Sequence, residues 1–300
     1  MKGVIYSVVA SVLFAVLYYY AVLLAPLDGE QIFGWRVVLS LPGLVLILSL
    51  TRGWHGFRQL MRRIARERVL WFVMPLCAAI LGLQLWLFMW APLHNMAMDV
   101  SLGYFLLPLT MVVVGRVVLK ERLSALQTAA VFFALAGVVH ELWRTATFSW
   151  ATAAVCLLYP IYFLARRWYR IETMPGLMLD MLLVTPIAVA ILMSKNTLSL
   201  MAGHPTLFLL VPLLGIISTV ALFLYLSAGR ILPMGLFGLL GYVEPVLLFF
   251  VAVLLLHEPF SAAQWFTYGP VWIAVALLMS EGVMVLVKTR KQPKAEARRR

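Results

Sequence analysis

Ten apolar runs, each close to the length that crosses a bilayer, follow one another along this chain with short polar breaks between them. A helix needs about 20 such residues to span roughly 30 Å of hydrocarbon. The runs lie near 3–25, 31–51, 69–92, 97–118, 124–142, 149–165, 175–194, 206–229, 233–256 and 261–287. The sixth is the shortest and ends at Arg166, Arg167 and Arg170. The first runs from Gly3 to Leu24, longer than the apolar core of a signal peptide, so it reads as a span and not as a cleaved leader.

Composition closes off the soluble alternatives. Of 300 residues, 64% are hydrophobic and 12% charged, against about 45 to 50% and about 25% in a soluble domain. A net charge of +12 would point to nucleic acid in a soluble protein. Here the cations lie between and beyond the apolar runs, so no nucleic-acid partner is expected. Cys77 and Cys156 sit inside apolar runs, where cysteine serves as a small hydrophobe.

The cations also orient the chain. With the N-terminus inside, all of the 24 Lys and Arg except Arg36, Arg116, Arg144 and Lys195 fall on the inner side. That bias places both termini in the cytoplasm, with the protein multi-pass in the plasma membrane. Within Arg52 to Arg68, the arginines at 58, 62, 63 and 66 recur at roughly helical spacing beside Trp54, Phe57, Leu60, Met61 and Ile64. This predicts a basic amphipathic helix lying on the anionic inner leaflet, with the basic tail beyond residue 287 as a second contact with the bilayer.

An internal repeat appears at an offset of 137 residues. Pro108 matches Pro245, Leu119 matches Leu256, Glu121 matches Glu258, Ser124 matches Ser261, Ala125 matches Ala262 and Gln127 matches Gln264. The serines are good N-caps, and the glutamates before them read as fasteners at helix junctions or, alternatively, as ligands. A five-helix unit is odd, so its second copy enters the membrane from the opposite side, the plan of many secondary transporters. The expected fold is therefore an all-α integral membrane protein of ten transmembrane helices in two inverted five-helix repeats, 1–145 and 146–287, with a basic cytoplasmic tail, 288–300. Pro108 and Pro245 lie near mid-membrane, where a kinked helix walls a cavity or serves as a hinge.

The segments SLGYFLLPLTMVVVGRVVLKER, LWLFMWAPLHNMAMDV and GYVEPVLLFFVAVLLLHEPF resemble EamA-type drug/metabolite transporters, especially the RarD-like subgroup, and the likeness covers nearly the whole chain. The resemblance implies ten helices in two inverted halves and a central cavity lined mainly by spans three, four, eight and nine. It also implies export or exchange of small metabolites, amino acids or drugs, and a bacterial inner membrane. The polar lining departs from that pattern: Trp35 and Arg36 stand where His-Arg is usual, Gln84 with Trp86 where Asn-Trp is usual, and Leu107 in place of an asparagine.

Ionisable groups inside a membrane are costly and so are candidates for function. Glu244, beside Pro245 and about twelve residues into span nine, is the candidate proton carrier or amine ligand. Arg36 either snorkels to the outer surface or binds an anionic group in the cavity, and the resemblance favours the cavity. Asp180 is a candidate gate or helix-pairing group. Trp86 and Trp90, four residues apart, share a face of span three that packs in the core or forms an aromatic wall. Tyr104, Tyr242 and Gln84 would add hydrogen bonds, so the expected solute site comprises Arg36, Gln84, Trp86, Trp90, Tyr104, Pro108, Tyr242, Glu244 and Pro245. Arg116 snorkels or pairs with Glu121.

No HExxH, Walker A, GxSxG or cysteine cluster accompanies His55, His94, His140, His204 and His257. No catalytic residue, metal or cofactor is expected. The leading expectation is a non-ATP transporter of a small solute working by alternating access, proton coupling through Glu244 being one option. A multipass enzyme or sensor subunit is the alternative.

Overall fold

Every described element is helical in the computed structural model, which describes residues 2–91, 96–145, 149–250 and 265–297. The helices are α1 (Lys2–Leu23), α2 (Gly29–Leu50), α3 (Trp54–Arg66), α4 (Leu70–Trp90), α5 (Ala97–Val117) and α6 (Ala125–Thr145). They continue with α7 (Trp150–Trp168), α8 (Thr173–Ser194), α9 (Thr197–Ala202), α10 (Leu207–Ile231), α11 (Met234–Leu240), α12 (Val243–Phe250) and α13 (Trp265–Ala297). Of these, α1, α2, α4, α6, α8 and α10 are each long and apolar enough to cross a membrane. Their outward side chains include Phe72, 78% exposed, and Leu209, 77% exposed. A water-facing surface would not carry such residues so densely.

The helix starts follow from local chemistry. Asp28 opens α2 with a capping box: its carboxylate accepts from the Gln31 amide at 2.8 Å, and its own amide donates to the Gln31 side chain at 2.9 Å. Burial works against the Asp28 charge, but the hydrogen bonds from Lys195 and the Gln31 amide outweigh it and hold the carboxyl below its usual range. Ser124 is the N-cap of α6 that the sequence points to, and it forms the same reciprocal pair with Gln127, at 3.1 and 3.2 Å.

The packing partners are α1 with α10 and α12, α2 with α8 and α10, α4 with α7 and α8, α5 with α7 and α11, and α6 with α13. Small residues permit the close crossings, as is usual where no hydrophobic drive separates helix from lipid. Gly238 of α11 lies against α5, where an added Cβ would meet the Met111 side chain and stand 2.9 Å from the Pro108 carbonyl oxygen. Gly238→Ala is therefore expected to cost about 1–3 kcal/mol through overpacking. Gly269→Ala, which meets nothing within 4 Å, should instead gain up to about 1 kcal/mol from helix propensity. Unfolding of the two variants in detergent micelles separates these effects.

Four sequence expectations change. The run 233–256 is not one helix: α11 and α12 are separated by a turn at Gly241 and Tyr242, because Pro245 has no amide to donate back to the Gly241 carbonyl. By contrast, α5 stays continuous through Pro108. The apolar residues Trp54, Phe57, Leu60, Met61 and Ile64 of α3 pack on the protein core instead of dipping into lipid, since α8 and α4 offer a closer apolar surface. The backbone of α13 runs on as helix to Ala297, into the basic segment. Leu256, Glu258, Ser261, Ala262, Gln264, His94 and His257 lie outside the described residues.

Candidate functional site

An arginine in the middle of an apolar bundle needs partners, because stripping its water costs several kcal/mol. Arg36 lies on α2 where that helix runs between α8 and α10, and it is 3% exposed. Its Nε donates to the Ser218 hydroxyl of α10 at 3.1 Å, and the guanidinium carbon stands 5.9 Å from the centroid of the Phe88 ring on α4. Its Nη1 is buried with no hydrogen-bond partner. A buried donor of this kind lacks an acceptor, and an anionic group is the acceptor that would pair with it most strongly.

Around Arg36 the chain assembles hydroxyls and rings. Tyr104 of α5, Tyr159 of α7 and Glu244 of α12 lie within electrostatic reach of the guanidinium. Phe88 meets Tyr104 edge-on at 6.0 Å and Tyr18 of α1 at 6.4 Å. Tyr225 of α10 packs edge-on against Phe14 at 5.7 Å, Tyr159 at 6.2 Å and Phe163 at 5.6 Å, while Phe237 closes the cluster 5.0 Å from Tyr225. Glu244, Tyr104, Phe88 and Tyr225 each keep partial access, unlike their fully buried neighbours. Apolar walls with a few convergent polar groups are the usual lining of a small-molecule site.

Of the expected site residues, Arg36, Tyr104 and Glu244 come together, and Pro245 follows Glu244 at the start of α12. The others have contacts of their own. Gln84 is fully buried, with its amide nitrogen on the Ala154 carbonyl at 2.9 Å. Trp86 and Trp90 stack at 4.7 Å and continue to Trp150 at 6.4 Å. Tyr242 is fully buried and donates to the Phe105 carbonyl at 2.9 Å. Pro108 is buried beside Gly238 and Gly241 at the α5–α11 crossing. Tyr159, Tyr225 and Ser218 were not singled out from the sequence. Their signal was a hydroxyl inside an apolar run, but the face each presents depends on helix packing.

Asp180 of α8 is fully buried and forms a 3.0 Å ion pair with Arg166 of α7, while Tyr162 donates to the same carboxylate oxygen at 2.9 Å. Arg166 also donates to Tyr162 and to the carbonyls of Glu172 and Thr173, at 3.1 and 3.2 Å. Glu121 accepts from the Met234 and Gly235 amides at 2.7 and 2.9 Å and pairs with Arg167 at 2.9 Å. It thus caps the dipole of α11, not that of the helix following it in sequence, and ties the two halves of the chain together. Arg116 reaches the backbone carbonyl of Glu121 at 3.0 Å, not its carboxylate.

The chain is 46% identical over 292 residues to the chloramphenicol-sensitive protein RarD of Pseudomonas aeruginosa, covering 97% of this chain and 98% of that one. An uncharacterized transporter of Haemophilus influenzae is 38% identical, covering 96% of this chain and 97% of the other. Protein RarD of Escherichia coli is 26% identical, covering 97% and 98%. No family model matches the chain. A crystal structure 18% identical in sequence superposes with a TM-score of 0.67, covering 92% of this chain and 95% of that one, and so shares the fold.

Proposed function

The chain belongs to the RarD-like family of membrane transporters, and on that premise we propose that it carries a small amphipathic solute through the Arg36–Glu244 chamber by alternating access. The observation that carries this reading is the buried Arg36 with an unfilled donor, set against Glu244 from the other half of the chain among aromatic rings. Arg36 binds an anionic end of the solute and the rings hold its apolar body. Glu244 takes an amine or carries the coupled proton. Metabolites, amino acids and amphipathic drugs share that chemistry.

Two inverted five-helix halves supply the moving parts. Supporting this reading, the packing pairs exchange when α1 is swapped for α7, α2 for α8, α4 for α10, α5 for α11 with α12, and α6 for α13. The α1–α10 pair becomes α7–α4, α2–α10 becomes α8–α4 and α1–α12 becomes α7–α5, while α2–α8, α5–α11 and α6–α13 map onto themselves. The second helix of each half ends at a left-handed residue, Arg52 or Asn196, and is followed by a short surface helix, α3 or α9. Tyr242 bonds the carbonyl of its own repeat equivalent, Phe105, which suits a crossing on the two-fold axis. In this reading both termini, α3 and the Glu121–Arg167 fastener face the cytoplasm, Asp180 with Arg166 forms an inner latch, and transport is outward.

The test is solute flux in proteoliposomes containing this protein alone, across a panel of amino acids, metabolites and amphipathic drugs, with and without a pH gradient. Gradient-driven flux in the wild type that is lost in Glu244→Gln is expected. Gradient-independent flux that survives the substitution would remove the proton role and leave facilitated passage. No flux for any solute, together with detectable lipid or sugar modification, would sink transport itself.

A further inference from the structure

Away from the Arg36–Glu244 chamber, a cleft of about 630 Å³ opens where the ends of α2 and α10 meet the starts of α1, α3 and α8. Its lining is uneven. Arg52, Arg230 and His55 bring positive or titratable nitrogens to the cleft, and Glu172 is the one acid among its lining residues. No described residue forms an ion pair with Arg52 or Arg230. The N-terminus of α3 lies in the wall at Gly53, His55 and Gly56 with no side-chain cap; the Glu172 carboxylate stands close to Gly56, where an added Cβ would lie 2.8 Å from its Oε2, so the two arginines carry the attraction for an anion and the helix dipole adds to it. Ser227, 7% exposed, also lines the cleft.

The rest of the wall is largely apolar, with Tyr6, Met174, Pro175, Phe223 and Ile231. Ile231 is 55% exposed, and Leu50, next to the rim residue Thr51, is 76% exposed. A polar pocket therefore passes without a break into an apolar outer surface. A free phosphate would fill only a small part of this volume and leave the apolar wall wet. A phospholipid matches both parts, with its phosphate at the cations and its chains along Leu50 and Ile231.

We propose that this cleft is a binding site for the headgroup of an anionic phospholipid of the cytoplasmic leaflet, a placement that rests on the orientation argued above. The cleft shares no residue with the solute chamber. Phe223 lines the cleft while Tyr225, two residues on, turns to the chamber, as helix geometry requires of neighbours two apart. Bound lipid would brace α3 and the end of α10 against α8, the elements an inner opening has to part.

Native mass spectrometry of the purified protein, with phosphatidylglycerol, phosphatidylcholine or inorganic phosphate added, reads the site without reference to transport. A chain that moves no solute still tests it. Retention of phosphatidylglycerol over phosphatidylcholine is expected, and inorganic phosphate at equal concentration should not displace it. The Arg52→Asn/Arg230→Gln pair should weaken retention about 25-fold, at roughly fivefold per cation near a membrane surface. Asn is chosen at 52 because it tolerates the left-handed backbone there, φ 55. Arg52→Lys/Arg230→Lys should restore retention, whereas Arg58→Gln/Arg62→Gln on the outward face of α3 should leave it unchanged. Equal retention of phosphatidylcholine, displacement by phosphate, or unchanged retention in the neutralised pair would each overturn the proposal. If that pair does not fold, Arg230→Gln alone and Ser227→Trp, which fills the cleft, decide the question in the same way.

Discussion

Replacing Arg36 with methionine is expected to abolish solute binding, weakening it by about 100-fold or more, while leaving the protein folded. Truncating one member of a desolvated charged contact costs about 2–5 kcal/mol, and the lower part of that range already corresponds to roughly two orders of magnitude. The fold should survive because Arg36 gives up one side-chain hydrogen bond, to Ser218, and a ring contact with Phe88. Methionine keeps the length and apolar stem while removing a buried charge that is costly in lipid surroundings. Arg36→Lys separates charge from geometry: a point charge without the planar fork retains a minor part of the affinity. Binding measured by calorimetry, once the flux panel supplies a solute, checks both variants. Wild-type affinity in Arg36→Met would remove the anion site from the chamber.

The second large effect falls on folding. Asp180→Ala leaves Arg166 as a buried cation with its carboxylate gone, for which the expected loss is about 3–5 kcal/mol. The remaining bonds from Arg166 to the carbonyls of Glu172 and Thr173 favour the lower end of that range. Replacing both partners, as Arg166→Met with Asp180→Leu, should recover most of the stability, because an apolar pair of similar size avoids both desolvation penalties. Equilibrium unfolding of the three variants in one detergent gives the comparison. If the double variant transports solute at the wild-type rate, the pair joins α7 to α8 and is not a gate.

Much of the site was legible in the sequence because charge inside an apolar run is conspicuous wherever it occurs. Arg36 and Glu244 stood out on that ground, and the fold brings them within electrostatic reach of each other. The same polarity marks Tyr242 and Gln84, whose donors bond to the Phe105 and Ala154 carbonyls of crossing helices, while the Gln84 Oε1 stays buried without a hydrogen-bond partner. Tyr159, Tyr225 and Ser218 went unremarked for the opposite reason. A hydroxyl in an apolar run signals that the position avoids lipid, but whether it turns to a cavity or to a neighbouring carbonyl depends on helix rotation. Glu121 shows the same limit, since its junction role was readable while its partners, the amides of Met234 and Gly235, lie more than a hundred residues away.

What the sequence alone determined was the all-helical membrane class, six of whose helices are long and apolar enough to cross a bilayer, and the Ser124 cap, because hydrocarbon thickness and unpaired terminal amides act locally and leave direct residue signatures. The ten apolar runs that opened the reading gave the helical class, and the repeated Pro108 and Pro245 located where helices five apart would differ. Tertiary structure decided how those two prolines are used: α5 runs straight through Pro108, whereas the chain breaks at Gly241 before Pro245 and presents Glu244 to Arg36. Both prolines lack the amide that a continuous helix would use, so the missing bond permits a break at either place, and the packing at each crossing decides where the helix yields.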